Sequence, residues 1–174
     1  MKIAVLRRGR AGQVWHLFRP LLTGSQHMKI NGFDLPPLFV DAISVGRLKR
    51  EIGCLDLIQN IDAYGNPLET DLGEVFYTFE RLKKETDKLP TGFEPDGHYG
   101  EPTPDLEGPG VIPDILGFSK VVCFAISGDG SPFCFDYRES NDIPSVIWWD
   151  DVYWRQIAPN FKSFLSLFNL EESS

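Results

Sequence analysis

The stretch VVCFAISGDGSPFCFDY, residues 121–137, constrains the fold more than any other part of the chain. Two runs rich in large apolar residues flank Ser-Gly-Asp-Gly-Ser, the pattern of two antiparallel strands around a tight turn. Centring a two-residue turn on Asp129 and Gly130 pairs Ile126 with Phe133, Ala125 with Cys134, Phe124 with Phe135 and Cys123 with Asp136. Alternation then gathers Val122, Phe124, Ile126, Phe133, Phe135 and Tyr137 into one apolar layer. Cys123, Ala125, Cys134 and Asp136 fall on the other side. Gly130 supplies a positive φ, Asp129 caps the turn through its side chain, and Pro132 stands at a strand start where no donor is needed.

The same Gly-Asp-Gly could be read as a metal or phosphate loop, and the residues around it argue against that. Calcium needs about six to eight oxygen ligands, which a lone Asp129 does not supply. A phosphate loop needs further glycines, a lysine and a following helix, whereas a strand follows here. His16, His27 and His98 are too dispersed to draw a ligand cluster. Cys54, Cys123 and Cys134 lack the spacing of a zinc or redox motif and fit a reducing cytoplasm, with Cys123 and Cys134 as reduced, buried thiols. No nucleophile motif appears. The adjacent carboxylates Asp150 and Asp151 point to opposite faces of an extended chain, so they read as a solvated turn. The sequence therefore predicts no enzyme, no metal and no cofactor.

Elsewhere the pattern gives helices first and then strands, without a βαβ rhythm. FDLPPLFVDAISVGRL reads as a short helix, with Pro36 and Pro37 in its first turn, Leu38, Ala42 and Val45 on one stripe and Gly46 as its stop. EVFYTFERLKKETDKL reads as a second helix, with Val75, Phe79 and Leu82 on one stripe. Residues 90–114 hold six prolines and five glycines and read as one long loop lying across the body. VVCFAIS, FCFDY and VIWW are three strands, and NFKSFLSLF is a closing helix capped by Asn160. Strands and helices are segregated, so the expected class is α+β: a single domain with a central antiparallel-rich sheet flanked by helices.

Charge narrows the function classes. The net charge of -8 conceals six basic residues and no acid in residues 1–30, which leaves a strongly acidic body. Such a body repels phosphate backbones, which argues against nucleic-acid binding and for a basic protein partner. No apolar run reaches the roughly 18 to 20 residues of a membrane span. The segment IPSVIWWDDVYWRQIA interleaves Trp148, Trp149, Tyr153 and Trp154 with acids, and alternation makes one of Trp148 and Trp149 core and the other partly exposed. Aromatic anchors ringed by acids suit an interface. Asp129, Asp136, Glu139, Asp142, Trp149, Asp150 and Asp151 are the candidate partner-binding residues.

The C-terminal third resembles the SUKH superfamily, the Smi/Knr-type cell-wall-regulator homology group. The residues that carry the resemblance are Gly128, Asp129, Gly130, Asp136, Val146, Trp149, Ile157, Ala158, Phe161, Phe164 and Leu165, with LPPLFVDAI similar to the family's opening helix. The resemblance implies an α+β fold with a central sheet. It also implies the role of most bacterial members, immunity proteins that bind and neutralise a cognate polymorphic toxin, often a nuclease. The alternative it implies is a regulatory or scaffold protein of the same fold acting on a cellular partner. On this reading residues 1–27 are a basic extension, with Met28 as an alternative start, and residues 28–170 form the SUKH-like domain.

Overall fold

The computed structural model describes residues 27–48, 54–93, 108–150, 153–168 and 170. In chain order the elements are β1 (Lys29–Ile30), β2 (Phe33–Asp34), α1 (Pro37–Ser44), β3 (Leu55–Asp56), β4 (Asp71–Leu72), β5 (Glu74–Val75), α2 (Phe79–Phe93), β6 (Val121–Ile126), β7 (Pro132–Asp136), β8 (Ser145–Asp150), β9 (Tyr153–Ala158) and α3 (Phe161–Leu167). Strands β5 to β9 form one antiparallel sheet in sequential order, and β1 with β2 and β3 with β4 make two small ribbons. This is the α+β architecture that the segregated pattern predicts. No helix among the described residues is long and apolar enough to cross a membrane.

The sheet separates two helical layers. On one face Phe39 of α1 meets Phe124, Phe135 and Phe161, and Phe164 of α3 meets Phe124 and Phe133, with ring centroids 5.3–5.7 Å apart. Phe124 and Phe135 stack at 4.2 Å. All six rings are buried, and each such burial is worth roughly 1.5–3 kcal/mol, with edge-on ring contacts adding about 0.5–1.5 kcal/mol. On the other face α2 packs on β6, and its last residue, Phe93, meets Trp149 and Trp154 at 5.1 and 5.4 Å. Trp148 is buried and stacks on Phe133, whereas Trp149 is half-buried under Phe93, the split that alternation along β8 requires.

The β6–β7 hairpin exists, but its register is not the one a two-residue turn gives. Ile126 pairs with Pro132 and Ala125 with Phe133, then Cys123 pairs with Cys134 and Val122 with Phe135. Two local features produce the shift. Ser127 and Ser131 close a three-residue loop, in which Gly130 N–H donates to the Ser127 carbonyl at 3.0 Å and Gly130 takes φ 95°. Phe124 is then an extra residue on β6, a bulge that moves the remaining pairs by one more. The bulge leaves the Cys123 N–H facing away from β7, where Thr86 of α2 accepts it at 3.1 Å. Cys123 and Cys134 are buried free thiols, and burial pushes the Cys134 thiol well above its ordinary range.

The helices also differ in detail from their stripes. α1 is ended at Gly46, φ 71°, but its buried residues are Phe39, Val40 and Ala42, and Val45 is exposed. Val75 belongs to the edge strand β5, so α2 starts at Phe79 and buries Leu82, Thr86 and Leu89. α2 then runs through Pro90 to Phe93; the missing Pro90 donor falls in the last turn, where little helix remains to break. The loop expected from residue 90 therefore begins later. Residues 94–107 of it lie outside the described residues, while Val111 bridges Arg155 and ties its far end to β9. Strand β9 was absent from the sequence reading, and α3 carries its expected cap, with Asn160 Oδ1 accepting from the Ser163 N–H at 2.9 Å.

Candidate functional site

In a sequential meander the β6–β7 and β8–β9 turns share one end of the sheet, and the β7–β8 loop lies at the other. The candidate residues are divided accordingly. Asp129, Trp149 and Asp150 lie toward the first end, and Asp136, Glu139 and Asp142 at the second. The five residues of β7 put these ends roughly 17 Å apart. Asp151 lies outside the described residues.

At the first end the carboxylates are engaged in holding the fold. Asp129 Oδ1 accepts from Ser127 Oγ and from the Ser131 N–H at 2.9 Å, and the Ser127 hydrogen bond leads in holding its carboxyl below the usual range. Asp71 Oδ1 accepts the Gly128 N–H at 2.5 Å. A Cβ on Gly128 would stand 2.8 Å from both Asp71 Oδ2 and Cys54 Sγ, so a side chain at the first glycine of Gly-Asp-Gly has to push two others aside, whereas the second glycine is favoured by its positive φ. Cys54 is exposed, and its hydrogen bond to Asp71 pushes its thiol up, away from reactivity.

Asp150 belongs to a network that the sequence reading missed. Arg155 Nη1 reaches Asp150 Oδ2 at 3.2 Å and Arg155 Nη2 reaches Asp62 Oδ2 at 2.8 Å. Asp62 is buried, and it also accepts from the Tyr64 N–H at 2.8 Å, the Asn66 N–H at 2.9 Å and Asn66 Nδ2 at 3.1 Å. Burial opposes the Arg155 charge, but the bonds to Asp62 and Asp150 outweigh it and raise its pKa. Gln156 Nε2 donates to Tyr64 Oη, and the Gln156 N–H donates to the Gly110 carbonyl at 2.8 Å. These contacts cover the outer edge of β9 with the 61–67 and 108–111 segments, protecting an edge that would otherwise template another strand. The turn-forming run Asp-Ala-Tyr-Gly-Asn was the available signal for Asp62.

The second end is different. Asp136 is buried, 3% exposed, and its carboxylate is forked by Arg138, with Nε at 3.0 Å and Nη2 at 2.8 Å. It is a structural anchor, out of reach of a partner. The Asp142 and Ile143 N–H groups donate to Ser140 Oγ at 3.3 and 3.1 Å, so the loop that follows is held in shape. Glu139 and Asp142 are exposed on it, and among the described residues their carboxylates pair with no cation. Ile143, 67% exposed, sits beside them.

Among the described residues no three histidines, cysteines or carboxylates converge on a metal position. A pocket between β4, β5 and the chain end, lined by Arg47, Leu48, Leu55, Leu72, Gly73, Val75 and Leu170, has room for about one water molecule. Of the three histidines, His27 is described, and it lies against Asp34 at 3.4 Å.

A sheet covered by helices on both faces, with the buried carboxylates Asp62 and Asp136 committed to a turn and to ion pairs, makes a single α+β domain. The model of the SMI1 / KNR4 family (SUKH-1) matches residues 32–167, and the chain belongs to that family. No curated protein and no solved structure matches it.

Proposed function

We propose that the chain is a non-enzymatic binding protein, an immunity protein that captures and neutralises a cognate nuclease-type toxin. Family membership supports this reading, and the observation that carries it is the β7–β8 loop. Glu139 and Asp142 stand exposed beside Ile143 on a loop already shaped by Ser140 and by the Asp136–Arg138 fork. A preorganised acidic loop with an apolar tip loses little entropy on binding and attracts a cationic surface from a distance. Nucleases hold polyanions in basic clefts, which an acidic protein can occupy. The interaction unit is the domain at residues 28–170, acting in the cytoplasm, where Cys123 and Cys134 stay reduced.

The test is co-expression with the product of the adjacent gene under conditions where that product alone arrests growth. The chain restores growth, and Glu139→Lys with Asp142→Lys loses the protection while remaining folded. Absence of protection, with a cellular protein co-purifying instead, replaces this reading with a regulatory or scaffold role.

A further inference from the structure

The bulge at Phe124 and the three-residue loop of the β6–β7 turn have a joint chemical result. With a two-residue turn and regular strands, Cys123 would face Asp136 and Cys134 would face Ala125. The loop slips the pairing by one residue and the bulge by one more, which sets Cys123 directly opposite Cys134. Both are buried, at 2% and 0% exposure, and both are free thiols.

Whether two such thiols can join depends on which kind of pair they form in the ladder. The Tyr137 N–H donates to the Lys120 carbonyl at 2.8 Å, so Lys120 and Tyr137 are a hydrogen-bonded pair. The two kinds alternate along an antiparallel ladder, which makes Val121 with Asp136 non-hydrogen-bonded, Val122 with Phe135 hydrogen-bonded and Cys123 with Cys134 non-hydrogen-bonded. The Cys123 N–H agrees, since it points away from β7 and donates to Thr86 Oγ1 at 3.1 Å. A non-hydrogen-bonded pair holds its Cα atoms about 4.5 Å apart, with the side chains closer than in the other kind. Disulfides span Cα separations of about 4.4–6.8 Å, so this position accepts one with both strands in place. The sulfurs are already neighbours: burial, and after it a hydrogen bond to Cys123, keeps the Cys134 thiol in its neutral form. Cys123 Sγ also reaches the Ala125 carbonyl at 3.7 Å, just past the bulge.

We propose that Cys123 and Cys134 are a redox site, two resting thiols that a peroxide converts into a disulfide within the folded domain. With hydrogen peroxide, one sulfur attacks, the O–O bond breaks, and a sulfenic acid and a water are formed; the other sulfur then displaces the sulfenic hydroxyl, which leaves as a second water as the S–S bond closes. Two electrons pass from the sulfurs to the peroxide oxygens, and both thiol protons end in the waters. The product cross-links β6 to β7, the strand that leads into the β7–β8 loop, and fixes the bulged register. The site rests on the geometry of the hairpin and holds whether or not the toxin reading does.

The experiment treats the full chain with hydrogen peroxide well below its unfolding temperature, the protein being purified reduced and carrying Cys54→Ala so that the exposed cysteine cannot link two molecules. After quenching, the protein is alkylated in denaturant and cut with trypsin, which releases Val121–Arg138 as one peptide holding both cysteines. The expected peptide is lighter by both thiol hydrogens, closed to alkylation and restored by dithiothreitol. The oxidised protein stays monomeric and unfolds at a higher temperature than the reduced one, because the cross-link restricts the unfolded chain. Cysteines that remain open to alkylation after an exposure that closes the same bridge in the urea-unfolded chain overturn the proposal. So does oxygen added to either sulfur in place of the bond, or a disulfide that lowers the unfolding temperature, because each shows that the folded strands do not hold the two sulfurs at bridging distance.

Discussion

Gly128 and Gly130 are both glycine for different physical reasons, and substitution separates them. Gly128→Ala forces a Cβ to 2.8 Å from Asp71 Oδ2 and Cys54 Sγ, and costs about 1–3 kcal/mol of stability, the range of an overpacked site. Gly130→Ala meets open space, so its cost is the left-handed φ alone, about 1 kcal/mol. Chemical denaturation of both variants checks the ranking, and adding Cys54→Ala to Gly128→Ala recovers part of the loss. Asp129 gives a pH signature at the same turn. Its folded pKa lies below the ordinary 3.8, so its stabilising effect is complete above that pH and is lost as pH falls below it toward the folded value. The stability gap between wild type and Asp129→Asn, measured by denaturation at fixed pH values, therefore closes below pH 3.8. That Gly-Asp-Gly makes a turn was readable from residue types. That Gly128 abuts Asp71 was not, because 57 residues separate them and nothing local records the approach.

Among the elements, strands β6, β7 and β8 and helix α3 were legible because their apolar runs are long or periodic. The register of β6 on β7 was not, since a three-residue loop and a bulge at Phe124 each slip the pairing without disturbing the apolar sequence. Strand β9 escaped because Arg155 and Gln156 interrupt its apolar pattern with side chains that serve Asp62 and Tyr64. The stripe of α2 was misplaced for a related reason. Its central buried residue is Thr86, whose hydroxyl accepts the Cys123 N–H that the bulge leaves facing away from β7. Thr86→Val keeps the shape and removes the acceptor, so it destabilises by about 1–3 kcal/mol, the cost of one unsatisfied buried donor. Thr86→Ser keeps the acceptor and loses only a methyl, about 0.8 kcal/mol. Thermal or urea unfolding that ranks Ser below Val contradicts the assigned hydrogen bond.

Across the whole molecule, acidity was visible in composition and its division was not. Of the candidate carboxylates, exposed Asp129 is hydrogen-bonded within its own turn and Asp136 and Asp150 are paired with Arg138 and Arg155, while Glu139 and Asp142 remain exposed on a shaped loop. The meander separates the two ends by sending alternate turns to opposite sides, and local pairing such as Asp136 with Arg138 decides which carboxylates at each end are engaged. The proposed function requires that the β7–β8 loop engage a basic protein. The most direct measurement is the calorimetric titration of the product of the adjacent gene into the wild-type chain and into Glu139→Lys with Asp142→Lys, each at low and high salt. The account predicts that affinity falls by about tenfold or more in the variant, and that wild-type affinity weakens with salt much more steeply than the variant's. Equal affinity and equal salt dependence in the two proteins would contradict it.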